Sequence, residues 1–113
     1  MSTSGFDHIY IETHKWEASL AFWRGLGFEL EYDTGHNSGA LRHPNSTTTI
    51  FLAEQPWEDP VGIELYLGVA DAASFEAPRA AEVVQLFTAT HWGTRVMGLR
   101  DPDGRLIRVT APA

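Results

Sequence analysis

Cysteine is absent from the chain, which excludes disulfides, thiolate metal sites and a cysteine nucleophile together. Stability must therefore come from packing, and 113 residues suit a single domain that buries roughly two-thirds of its unfolded surface. Positive charge is also scarce. Lysine and arginine number 8 against 15 acidic residues, a formal net charge of −7, whereas nucleic-acid binding needs a basic footprint. The same acidity keeps a protein soluble or favours a cationic or neutral ligand. No apolar run approaches the ~20 residues that span a bilayer, and Met1 to Gly5 lacks the basic and apolar regions of a signal peptide. The expectation is a cytoplasmic protein that engages neither nucleic acid nor membrane. A serine nucleophile elbow and a glycine-rich phosphate loop are missing as well, which sets aside serine hydrolysis and nucleotide-dependent transfer.

What is present is an internal repeat. Residues Phe6 to Thr13 alternate, with Ile9 and Ile11 on one face and His8, Tyr10 and Glu12 on the other. Trp16, Leu20, Trp23 and Leu26 then recur at helical spacing until Gly25 and Gly27 supply a stop. Strands are expected at Phe28 to Asp33, Ala40 to Arg42 and Thr47 to Ala53, which completes a βαβββ order. The second half repeats it: a strand from Val61 to Val69, a short helix from Asp71 to about Arg79, and strands at Glu82 to Thr88, Thr94 to Arg100 and Arg105 to Thr110. Leu41-Arg42-His43-Pro44-Asn45-Ser46 lines up with Leu99-Arg100-Asp101-Pro102-Asp103-Gly104, and Glu64, Tyr66 and Gly68 mirror His8, Tyr10 and Glu12. Module one covers about residues 6–54, a linker 55–60, and module two about 61–111 of one domain spanning 1–113. The second helix carries small residues, Ala72, Ala73 and Ser74, with Phe75 its one large apolar side chain. It covers less of its sheet, so that either a second subunit adds cover or the end is loose.

From about Phe6 to Ala111 the chain resembles the vicinal-oxygen-chelate superfamily, the glyoxalase/bleomycin-resistance/dioxygenase group. The resemblance is carried by Asp7-His8-Ile9, by Glu17-Ala18-Ser19-Leu20-Ala21-Phe22-Trp23 leading to Leu26-Gly27-Phe28, and by Trp92-Gly93-Thr94-Arg95 before Arg100-Asp101-Pro102-Asp103-Gly104. It implies an α+β fold, two βαβββ modules forming a curled mixed sheet around a cleft, commonly in a homodimer. It does not imply one activity, since lyases, dioxygenases, resistance enzymes and pure binding proteins share the architecture.

Metal-dependent members of that superfamily place histidine and carboxylate ligands on the first and last strands of each module. The matching positions here are His8, Ile50, Glu64 and Arg108, only two of which can donate a lone pair. A guanidinium cannot ligate a cation and repels it. Shifting the fourth strand by one residue substitutes Thr49 or Phe51, which are poor ligands too. His8, Glu64 and Arg108, with the phenols of Tyr10 and Tyr66, are either a structural polar network or the polar groups of a ligand site with aromatic walls. Trp16 and Trp23 belong to the core stripe of the helix. Trp57, in the loop Glu54 to Pro60, either stacks on a ligand or pins the linker. Trp92, preceded by His91, either lines the cleft rim or packs structurally. The reading is a metal-free, cofactor-free protein of the bleomycin-resistance type that sequesters an aromatic or cationic small molecule. The alternatives are a glyoxalase-like lyase or dioxygenase relative using His8 and Glu64 as ligands, and metal-free catalysis with Glu64 or His8 as base beside Arg108.

Overall fold

The structure, a computed structural model, describes residues 2–113. It contains two compact units, residues 8–63 and residues 64–113 joined by the N-terminal residues through Asp7. No helix is long and apolar enough to cross a membrane.

In the first unit the alternating segment forms β1 (Phe6–Thr13) and the apolar-periodic one forms α1 (Trp16–Gly25), followed by β2 (Glu29–Asp33), β3 (Ser38–Arg42) and β4 (Thr49–Glu54). β1 pairs in parallel with β4, and β3 pairs antiparallel with both β4 and β2. The strand order is therefore β2-β3-β4-β1. Helix α1 buries Trp16 and Leu20 on Leu41, Ile50 and Leu52, with Ile11, Trp23, Phe28 and Leu30 packed around them. Fully burying side chains of this size is worth about 1.5–3 kcal/mol each. The helix has no capping side chain at Lys15. Glu54, at the end of β4, takes that place: Trp16 N donates to its Oε1 at 2.9 Å, and Asn37 Nδ2 donates to its Oε2 at 3.1 Å. Gly39 is required by close approach, since a β-carbon there would stand 2.5 Å from the Tyr32 carbonyl oxygen.

The second unit repeats the plan with β5 (Ile63–Gly68), β6 (Glu82–Ala89), β7 (Thr94–Arg100) and β8 (Leu106–Pro112). β5 runs parallel to β8, and β7 is antiparallel to both β8 and β6, giving β5-β8-β7-β6. Its core is Val69, Ala72, Met97, Leu99, Val109 and Ala111, with Phe75 and Phe87 against it.

The second helix is the main departure from the sequence reading. Only one 3-10 turn forms, at Ala72–Ser74, rather than a helix reaching Arg79. Asp71 Oδ1 accepts from Ala73 N at 3.2 Å, and the Ser74 hydroxyl donates back to the Asp71 carbonyl at 3.1 Å. Pro78 disfavours helical backbone at Ala77 and offers no N–H of its own, leaving too few residues to offset helix nucleation. The chain continues extended from Phe75, and a groove of about 510 Å³, lined mainly by Leu67, Phe75, Ala77, Pro78, Leu99 and Val109, remains along this face.

Candidate functional site

Strand register decides which side chains share a face. In the second unit Tyr66 pairs with Arg108, and Leu65 and Leu67 pair with Ile107 and Val109. Glu64, Tyr66 and Arg108 therefore point to one side, and Val109 points to the other, into the core. On the polar side Arg108 Nη2 stands 3.6 Å from Glu64 Oε2, with the two side chains 24% and 29% exposed. That separation is an ion pair too long for a hydrogen bond. Arg108 Nε is buried and has no hydrogen-bond partner, a condition that costs free energy until an acceptor reaches it. Room for the guanidinium comes from Gly98, which pairs with Arg108 across β7 and β8. A β-carbon at Gly98 would lie 3.5 Å from Arg108 Nη1 and 3.2 Å from Val84 Cγ2. Burial raises the Tyr66 phenol above its ordinary pKa; the Glu64 carboxylate adds to the shift and Arg108 opposes it.

In the first unit His8 pairs with Thr49 and Tyr10 with Phe51. The Tyr10 and Phe51 rings stack with centroids 6.4 Å apart and planes inclined by 17°. Gln55, which the sequence did not single out, donates from Nε2 to the Tyr10 hydroxyl at 3.1 Å. His8 is half-buried on this same face.

Ile50 is not on it. Ile50 pairs with Ile9 and is 6% exposed under α1, among Trp16, Leu20 and Leu52. The misplacement has a plain cause. Leu41 pairs with Ile50 nine positions on, whereas Leu99 pairs with Ile107 eight positions on, so the first loop holds one more residue than the second. A slip of one residue turns every side chain to the opposite face. The residue equivalent to Arg108 is therefore Phe51.

The remaining expected site residues lie elsewhere. His91 and Trp92 occupy the β6–β7 turn, ring centroids 4.9 Å apart, with Trp92 58% exposed. Thr94, just beyond, pairs with Pro112, four residues along β8 from Arg108 and thus roughly 13 Å away at about 3.3 Å per residue. Trp57 is exposed in the loop after β4, where the edge of the His14 ring meets it at 4.7 Å.

The divalent metal that the resemblance implies does not fit these residues. In the second unit the carboxylate of Glu64 faces a permanent cation, and in the first the position equivalent to Arg108 is a phenylalanine. Among the described residues no group of three or more His, Asp or Glu side chains is arranged to hold an ion. Catalytic sites of this kind typically need three protein ligands.

No family model and no curated protein matches the chain. Solved structures do. Methylmalonyl-CoA epimerase from Mycobacterium tuberculosis superposes with a TM-score of 0.69 at 20% identity, covering 98% of this chain and 89% of that one. A variant of Streptomyces coelicolor methylmalonyl-CoA epimerase in complex with 2-nitronate-propionyl-CoA gives 0.69 at 23% identity, covering 99% of both chains. A glyoxalase/bleomycin resistance protein/dioxygenase superfamily member from Vibrio splendidus 12B01 gives 0.61 at 17% identity, covering 91% of this chain and 95% of that one. Together with the repeated strand order, these likenesses establish that the chain has the vicinal-oxygen-chelate fold.

Proposed function

We propose that the chain is a small-molecule-binding protein that captures an aromatic or cationic ligand without a metal ion, on the Glu64–Tyr66–Arg108 face. The observation that carries this reading is Arg108 itself. A buried guanidinium with an unpartnered Nε, paired loosely to Glu64, offers a donor to an acceptor atom of the ligand and a carboxylate to an amine, with the Tyr66 ring as an apolar wall. The net charge of −7 raises the local concentration of cations. The protein acts in the cytoplasm as a homodimer in this proposal. The test is calorimetric titration with a panel of planar aromatic amines, with and without a chelator. Binding unchanged by the chelator, and weakened at least about ten-fold (about 1.4 kcal/mol) in Arg108→Met and Glu64→Gln, is expected. Binding that needs an added divalent ion would overturn the proposal.

A second reading is metal-free proton transfer, favoured by the likeness to epimerase structures. Glu64 would remove a proton next to a carbonyl, and the Arg108 guanidinium would stabilise the resulting enolate oxygen. Loss of the C2 proton signal of methylmalonyl-CoA in D2O, abolished in Glu64→Gln, is its signature. Retention of that proton leaves capture as the function.

A further inference from the structure

A separate groove lies in the first unit, open to solvent and about 400 Å³ in volume, lined by Thr13, His14, Lys15, Ser19, Phe22 and Trp57 among others. That size falls within the ~300–1,000 Å³ range of small-molecule sites. Two of its aromatic side chains are left uncovered, Trp57 at 69% and Phe22 at 60% exposure. Trp57 is nevertheless held in place. The His14 ring meets it edge-on at 4.7 Å and 61°, and His14 Nε2 donates to the Asp59 carbonyl at 2.6 Å, which ties the loop on both sides of the indole to the end of β1.

The charge beside the indole has a definite sign. Lys15 is the only lysine in the chain. Its Nζ stands 6.0 Å from the Trp57 ring centroid, and it makes no ion pair among the described residues. The Ser19 hydroxyl, in the same lining, makes no hydrogen bond among the described residues and is available as a donor. A cationic ligand would have to displace the ammonium from the indole, since both seek the same electron-rich face. An anionic group would instead meet an unpaired cation and a hydroxyl, while its aromatic body covered Trp57 and Phe22.

We propose that this groove is a second ligand site, independent of the Glu64–Tyr66–Arg108 face, that binds a planar aromatic anion of one or two rings. The probe is 1-naphthoate, titrated into the full chain while the indole N–H signals are followed by NMR. Neutral 1-naphthamide and cationic 1-naphthylmethylammonium serve as controls. The Trp57 signal is expected to shift saturably with naphthoate, with both controls binding at least ten-fold more weakly. Lys15→Met should abolish the preference for the anion, and Trp57→Ala should abolish binding while the melting temperature stays within about 2 °C of wild type, as exposed positions allow. The proposal is overturned if either control binds as tightly as naphthoate, if Lys15→Met leaves its affinity unchanged, or if only the Trp92 signal responds.

Discussion

Phe51 and Arg108 hold equivalent places in the two modules: each pairs with the central tyrosine of the neighbouring parallel strand, Tyr10 in one case and Tyr66 in the other. The same backbone position is thus apolar and ring-stacked in one copy and cationic in the other. This asymmetry, rather than the fold, is what separates the chain from a metal-holding design, because a metal site needs a lone-pair donor where these two residues stand.

Replacing that cation should expose the latent geometry. In Arg108→Glu two carboxylates share one face with no counter-charge, and the melting temperature should fall by an amount equivalent to about 1–3 kcal/mol. Millimolar manganese or zinc should restore most of it in the variant and leave the wild type unmoved. A variant insensitive to ions would contradict the shared placement of Glu64 and Arg108.

The Tyr66 phenol supplies a pH signature. Its pKa is raised in the folded chain, first by burial and then by Glu64, so the neutral phenol is the form that folding favours. The sign follows from linkage: this contribution is fully present below the unfolded tyrosine value of about 10 and is lost as pH rises through the higher folded value. Spectrophotometric titration near 295 nm should resolve one late-ionising tyrosine, absent in Tyr66→Phe. If that variant titrates like the wild type, the buried polar face is misassigned.

Tryptophans divide by burial. Trp57→Ala and Trp92→Ala remove side chains that are 69% and 58% exposed and should change stability by less than about 0.5–1 kcal/mol. Trp16→Ala opens the core beneath α1, where the side chain is 6% exposed, and should cost about 3–5 kcal/mol. Chemical denaturation of the three variants measures the contrast.

A fourth expectation concerns the β7–β8 hairpin. Asp101 Oδ1 accepts from Arg105 N at 2.8 Å and Asp103 N at 3.0 Å, and Oδ2 lies 3.0 Å from Arg105 Nη1. The backbone bond from Arg105 is the chief cause that holds the Asp101 carboxyl below its usual pKa. Its contribution is present above the unfolded value of about 3.9 and is lost as pH falls through the depressed folded value. Asp101→Ala should therefore melt below wild type at pH 7, and the two curves should converge in acid. A gap that persists at pH 2 would point to packing rather than charge.

Much of the architecture was legible because periodicity reports burial directly. The alternation of Ile9 and Ile11 with His8 and Tyr10, and the helical spacing of Trp16 and Leu20, mark faces that the core then selects. The face shared by Glu64, Tyr66 and Arg108 was legible for the same reason. Three features were not. Loop lengths are invisible to an alignment of turn motifs, and the one residue by which the first hairpin exceeds the second sent Ile50 to the core. The second helix was defeated by Pro78, whose effect outweighed the helix-favouring alanines before it. Gly98 and Gln55 carry no periodic signal: one matters by leaving space for Arg108, the other by reaching Tyr10 from the loop. The pairing of Lys15 with Trp57 depends on a loop path that residue spacing does not encode.

The central claim is that ligand capture here needs no divalent ion. Elemental analysis of the purified chain, followed by melting curves with zinc, nickel, manganese and iron(II), tests it most directly. An ion at one hundred times its dissociation constant stabilises a folded chain by about 2.7 kcal/mol, a shift that no melting curve would miss. The account predicts far less than one equivalent of any metal and unchanged melting temperatures. Near-stoichiometric metal, or marked stabilisation by a single ion, would contradict it and place Glu64 among metal ligands rather than opposite Arg108.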